Sequence, residues 1–205
     1  MIRQLLIIVS LLLTQTSFGQ KNNLTIGPPK LPTKKEAEIE ERNHNCIKKV
    51  NKSFSARIKN YPFNNTAQVQ LVSFVGSSQH TFYVTDSLPR QNDTICYSRL
   101  NEIRALTITQ IDKLTDILYN YEYAGPIHSM SSSNCYMPKN AILFLDKNGK
   151  VFEFIEICFE CDRTKESSEE ISLGDMCDQK ISMVKNFFKE VGIKYGITEG
   201  LLMDN

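Results

Sequence analysis

The chain has 205 residues, six Cys, no Trp, and 24 basic against 23 acidic residues, for a formal net charge of +1. The charges are interspersed, which argues against nucleic acid and anionic membranes as partners, because both demand a basic excess or a clustered Lys/Arg stripe. The length suits a single domain with a real apolar core, packed with 11 Phe and 8 Tyr.

At the N-terminus, Arg3 precedes the apolar run Leu5-Leu6-Ile7-Ile8-Val9-Ser10-Leu11-Leu12-Leu13, followed by small and polar residues. A membrane span needs about 20 apolar residues, so the run reads as a cleavable export signal over residues 1–19. Ser17 and Gly19 supply the small side chains a signal peptidase accepts, placing the new N-terminus at Gln20, which can cyclise to pyroglutamate. Cleavage removes Arg3 and no acid, leaving 23 basic and 23 acidic residues. The expected location is secreted or periplasmic, with no membrane attachment after cleavage.

Residues 20–32 carry Asn22-Asn23, Gly27-Pro28-Pro29 and Pro32 and read as a flexible linker to an α+β domain over 33–205. Thr33 and Glu36 form a capping box, and Ile39, Cys46, Ile47, Val50 and Phe54 recur at helical spacing, predicting a helix within 34–56. Tyr61-Pro62 and Asn64-Asn65 break it. Val69, Leu71, Ser73 and Val75 then alternate as a strand, for which the β-rich 81–85 is the expected partner across Gly76-Ser77-Ser78. Residues 95–106 remain open between strand and coil. Thr107 with Gln110 makes a second capping box, Leu106 and Ile111 a hydrophobic staple, and Ile111, Leu114, Ile117, Leu118 and Tyr121 a stripe, predicting a helix over 108–121.

A Ser/Asn-rich loop, 125–134, follows. Two β-rich runs, 141–145 and 151–159, flank Asp146-Lys147-Asn148-Gly149, a hairpin signal. Asp175 is placed to cap a last helix with the stripe Cys177, Ile181, Val184, Phe188 and Val191, stopped by Gly192. The order of elements predicts a mostly antiparallel sheet with about three helices packed on one face. The βαβ alternation and glycine-rich turns of nucleotide-binding folds are missing.

An exported chain can oxidise its thiols, so Cys46, Cys96, Cys135, Cys158, Cys161 and Cys177 are all disulfide candidates. Cys158-Phe159-Glu160-Cys161 has redox C-x-x-C spacing but ends a predicted strand. There, residues three apart face opposite ways at roughly 10 Å, beyond the roughly 7 Å reach of a disulfide. A tight turn at Phe159 would weaken that objection and restore a thiol–disulfide role for Cys158 and Cys161. Cys135, Cys158, Cys161 and Cys177 can alternatively be read as four zinc thiolates, although a second short knuckle and its glycine are lacking. The preferred reading is a bridge from Cys177 to Cys161 or Cys158, with Cys135 taking the other and Cys46 pairing with Cys96. Buried free thiols are the bland alternative.

Three segments, Cys135-Tyr136-x-Pro138-Lys139-Asn140-Ala141, Ile155-Glu156-Ile157-Cys158-Phe159-Glu160-Cys161 and Phe187-Phe188-x-x-x-Gly192-Ile193-x-Tyr195-Gly196, resemble a group of uncharacterised exported bacterial proteins. The resemblance covers the C-terminal third and implies a shared cysteine-bearing hairpin-plus-helix core, without a substrate.

Other candidate chemistry reads as structural. His44, His80 and His128 are dispersed and form no H-x-x-x-H. No nucleophile elbow or cysteine-protease signature accompanies His128, Ser129–Ser133 and Cys135. Glu153 and Glu156 fall on opposite faces of one strand and, with Glu160, read as an edge-facing acidic row that keeps it soluble. The segment from Asp146 superficially resembles a calcium loop, but Lys150 occupies a ligand position, so it reads as a hairpin turn. The sequons at Asn23, Asn51, Asn64 and Asn92 matter only in a eukaryotic secretory pathway. The sequence assigns no catalytic, metal or cofactor-binding residue and no cofactor. It favours an exported, disulfide-stabilised, non-catalytic binding module for an extracytoplasmic protein or small ligand, acting through residues 125–140, with a Cys158/Cys161 redox protein or a zinc-binding protein as the alternatives.

Overall fold

The computed structural model describes residues 31–75, 87–129 and 135–201, and Thr33–Asn205 forms one compact unit. The expected export signal, nearly all of the expected linker, the expected strand 81–85 with His80, and residues 130–134 lie outside the described residues.

The chain alternates helices and strands: α1 (Lys34–His44), β1 (Cys46–Lys48), α2 (Phe54–Arg57), β2 (Gln68–Phe74), β3 (Arg90–Gln91), β4 (Thr94–Ile95), β5 (Leu100–Ala105), α3 (Ile108–Asn120), β6 (Tyr121–Tyr123), β7 (Asn140–Leu145), β8 (Val151–Cys158), β9 (Arg163–Glu166) and α4 (Lys180–Val191). Five strands form an antiparallel sheet in the order β5-β2-β7-β8-β9. β1–β6 and β3–β4 are separate antiparallel ribbons. The fold is α+β, as the order of elements predicts. Among the described residues no helix is long and apolar enough to cross a membrane.

Alternation along the strands divides the core into two layers. Val69, Leu71, Ile142, Phe144, Ile155 and Ile157 pack with Leu114, Ile117 and Leu118 of α3 and with Ile181, Val184, Phe187 and Phe188 of α4. Val72, Phe74, Ala141, Leu143 and Leu145 form a second, smaller cluster with Leu88 and Ile95. The two long amphipathic helices therefore share one apolar layer, while α1 buries no residue at all.

Both capping boxes are present, at Thr33–Glu36 and Thr107–Gln110. The first helix nevertheless stops at His44, where the apolar spacing predicts more. The Asn45 amide donates to the carbonyls of Glu41 and Arg42, and Asn45 is extended at ψ 146°. A side chain that satisfies the last carbonyls ends the helix. Cys46 and Ile47 then pair with Tyr123 and Glu122 instead of extending the stripe.

The last helix also starts later than its apolar stripe predicts. Cys177 precedes α4, Gln179 is the N-cap, and Asp175 accepts the Tyr123 N–H at 3.4 Å instead of capping. Gly192 ends α4 in the left-handed region, as expected. The first residue of α4, Lys180, is fully buried, and its ammonium donates to the carbonyls of Ile117, Leu118 and Tyr121 at 3.0, 2.8 and 2.6 Å. It closes the C-terminal end of α3, where carbonyls lack helical partners and the helix dipole favours a cation.

Candidate functional site at the turn between β8 and β9

β8 leaves the sheet at Cys158 and reverses at once. The Cys161 N–H donates to the Cys158 carbonyl at 3.3 Å, Asp162 takes a left-handed φ of 51°, and Arg163 pairs back onto Cys158. Asp is among the few non-glycine residues that tolerate this conformation. The C-x-x-C segment is therefore a hairpin turn, and the separation expected for extended chain disappears. The sulfurs of Cys135, Cys158 and Cys161 lie within 4.8 Å of one another.

Cys135 and Cys161 are joined by a disulfide, with Cα atoms 5.6 Å apart. Cys158 keeps a buried thiol, 1% exposed, and the Met137 N–H points at its sulfur at 3.4 Å. Two residues earlier on β8, the buried Glu156 accepts the Tyr136 O–H at 2.9 Å and the Leu88 N–H at 2.8 Å. Burial, with Glu156 alongside, pushes the Tyr136 phenol above its ordinary range, so it remains a donor. The Arg163 guanidinium lies over the Tyr136 ring, 5.7 Å from its centroid. Lys139 bonds Glu160 at 2.5 Å and the Gly200 carbonyl at 2.6 Å, and Phe159 packs edge-on to Phe188. The turn is thus fixed to the sheet, to the segment 135–139 and to the chain after α4.

The second disulfide, Cys46–Cys177, spans 131 residues and has Cα atoms 5.1 Å apart. Hydrogen bonds surround it: Cys46 N–H to Gln179 Oε1 at 2.6 Å, Gln179 Nε2 to Asn45 Oδ1 at 2.8 Å, and Asp178 N–H to the His44 carbonyl at 3.0 Å. His44 stands 3.5 Å from both Glu40 and Asp178 and edge-on to Tyr123.

These pairings replace the expected ones. Cys177 bonds Cys46, not Cys161 or Cys158, because it precedes α4 and meets β1. Cys135 bonds Cys161, and Cys96 carries a partly exposed thiol beside Ser98 instead of reaching Cys46. The four-thiolate zinc set is not assembled, since Cys177 is committed to a different part of the fold.

The acidic row is also corrected. β8 is flanked by β7 and β9, so it is no edge, and both Glu153 and Glu156 are buried. Glu153 accepts hydroxyls from Ser167, Tyr61 at 2.6 Å and Ser168 at 2.8 Å. Burial raises its pKa, but the hydroxyls outweigh that and hold the carboxyl below its ordinary range. Burial and Glu153 together push Tyr61 up to about 12. Asp146 accepts the N–H groups of Asn148 and Lys150 at 2.8 and 2.9 Å, the hairpin-turn role expected of it.

Both described ends of the 125–140 loop are anchored. Glu40 on α1 accepts the N–H groups of His128 and Ser129 at 2.6 and 2.9 Å, and Asn43 donates to the Pro126 carbonyl at 2.8 Å. At the far end stand the Cys135 bridge, the Tyr136–Glu156 bond and the Lys139–Glu160 pair. Tyr136, Met137 and Glu156 were not legible as parts of one site. The available signal was the clustering of Cys135-Tyr136 and Cys158-x-x-Cys161, with Asp162 as the turn residue. The chain matches no protein-family model, no curated protein and no solved structure.

Proposed function

We propose that the protein is exported and acts outside the reducing cytoplasm as a disulfide-braced binding module that presents residues 125–140 to an extracytoplasmic partner. The observation that carries this reading is the pair of disulfides, one of which fixes the C-terminal foot of that loop. Such bonds persist in oxidising compartments and are rare in a reducing one. The leader-like N-terminus and the resemblance of the C-terminal third to exported bacterial proteins agree with it. A loop held at both feet loses less conformational entropy on binding than a free one.

Two measurements test the reading. Fractionation and N-terminal sequencing of the protein from its native host should find soluble extracytoplasmic material beginning at Gln20; retention in the cytoplasm with residues 1–19 intact would refute export. Replacing 127–134 by a Gly/Ser segment of equal length, with Cys135 kept, should abolish crosslinking to the partner. Unchanged crosslinking would remove the loop from the binding surface.

A further inference from the structure

Cys158 is buried, carries no bridge, and sits within 4.8 Å of both sulfurs of an existing disulfide. Many buried cysteines merely fill apolar space, but this one stands beside a bridge. We propose that Cys135, Cys158 and Cys161 form a thiol–disulfide exchange site, in which Cys161 alternates between a bridge to Cys135 and a bridge to Cys158, releasing Cys135 to react with an external disulfide.

The step needs no oxidant. Cys158 gives up one proton, matched by the one Cys135 takes up, and its thiolate attacks Sγ of Cys161. The Cys158–Cys161 bond forms as the Cys135–Cys161 bond breaks, and Cys135 leaves as a thiolate that can take up a proton. One disulfide and one thiol exist before and after. The Met137 N–H, aimed at the Cys158 sulfur, supports the thiolate that exists there before attack, and the charge then passes to Cys135 as it leaves.

Two features select Cys135 as the leaving sulfur. Of the three residues, Cys158 and Cys161 are 1% and 7% exposed, whereas Cys135 is only half-buried. A departing thiolate is stabilised where water reaches it, and an outside reagent can meet it there. The new bridge also closes a turn already drawn together by the Cys161 N–H to Cys158 carbonyl bond. The substrate class is an external disulfide. Released Cys135 attacks it, forming a mixed disulfide and expelling one external thiol.

This site depends on the exported setting proposed above only in requiring oxidised protein. The test uses full-length mature protein carrying Cys96→Ser, so that the exposed thiol does not compete. Incubation with oxidised glutathione at mildly alkaline pH, acid quenching and peptide mapping should recover both Cys135–Cys161 and Cys158–Cys161, with glutathione on Cys135. Adding Cys158→Ala should eliminate both the second bridge and the glutathione adduct. Adding Cys135→Ser to the same background should yield a Cys158–Cys161 bridge. Recovery of Cys135–Cys161 alone without glutathione uptake, or two alkylatable thiols at Cys158 and Cys161 in the Cys135→Ser protein, would overturn the proposal. Six thiols in freshly isolated wild-type protein would instead refute the disulfide-braced module itself, so the two failures are distinguishable.

Discussion

The two disulfides occupy unlike surroundings. Cys46–Cys177 closes a 131-residue separation between β1 and the entry to α4, inside a web of backbone and amide hydrogen bonds. Cys135–Cys161 closes a separation of 26 and has a third sulfur beside it. A bridge that constrains a long loop and lacks a neighbouring thiol is a brace. One that closes a short loop next to a thiol has less to hold and a route to rearrange.

The sharpest way to break this contrast is to delete each bridge. In the chain-entropy account, stabilisation grows with the loop closed. Replacing both Cys46 and Cys177 by Ala should cost about 5 kcal/mol, whereas replacing Cys135 and Cys161 by Ala should cost about 3.5 kcal/mol. Urea midpoints measured without reductant compare them, and a reversed order would contradict the assignment of roles. A smaller loss is expected at the exchange site from Tyr136→Phe, which strips one donor from the buried Glu156. Leaving that acceptor unsatisfied costs about 2 kcal/mol, and an unchanged midpoint would show the bond to be dispensable.

A rise of stability with pH is expected at the braced end. Burial pushes Lys180 down to about 8, with Asp175 and Glu122 opposing it. Between that value and the ordinary lysine value, the unfolded chain binds the extra proton, so stability rises with pH, by at most about 1.4 kcal/mol per unit. The gain is complete above the unfolded value and lost as pH falls through about 8. Denaturation of wild type and Lys180→Met from pH 8 to about 10 should show this slope only in wild type. Equal slopes would place the titration elsewhere. The smallest effect is at the loop's first foot, where a Cβ on Gly125 would collide with Asn43 Oδ1. Asn43 must then move and release the Pro126 carbonyl, and Gly125→Ala should cost about 1 kcal/mol by thermal melting.

Local chemistry was legible in the sequence, and long-range partnership was not. Thr33–Glu36, Thr107–Gln110 and Gly192 each act within a few residues, and each appears where its residue types predict. The β7–β8 hairpin follows from Asp146 to Gly149, with Gly149 at φ 76°. By contrast, Arg163-Thr164-Lys165-Glu166 has no apolar alternation and becomes β9 only through pairing with β8. β1 likewise depends on β6, far along the chain. The charges of Glu153 and Glu156 suggest exposure, but hydroxyl and amide donors from distant segments make their burial tolerable. Disulfide partners follow from that same tertiary placement, so spacing alone paired Cys177 with the wrong hairpin.

The most direct test of the central claim is a count of alkylatable thiols in protein isolated without reductant and unfolded in denaturant. Two labelled residues, Cys96 and whichever of the three clustered cysteines is unbridged, mainly Cys158, are predicted, rising to all six after reduction. Six labelled residues before reduction would contradict it.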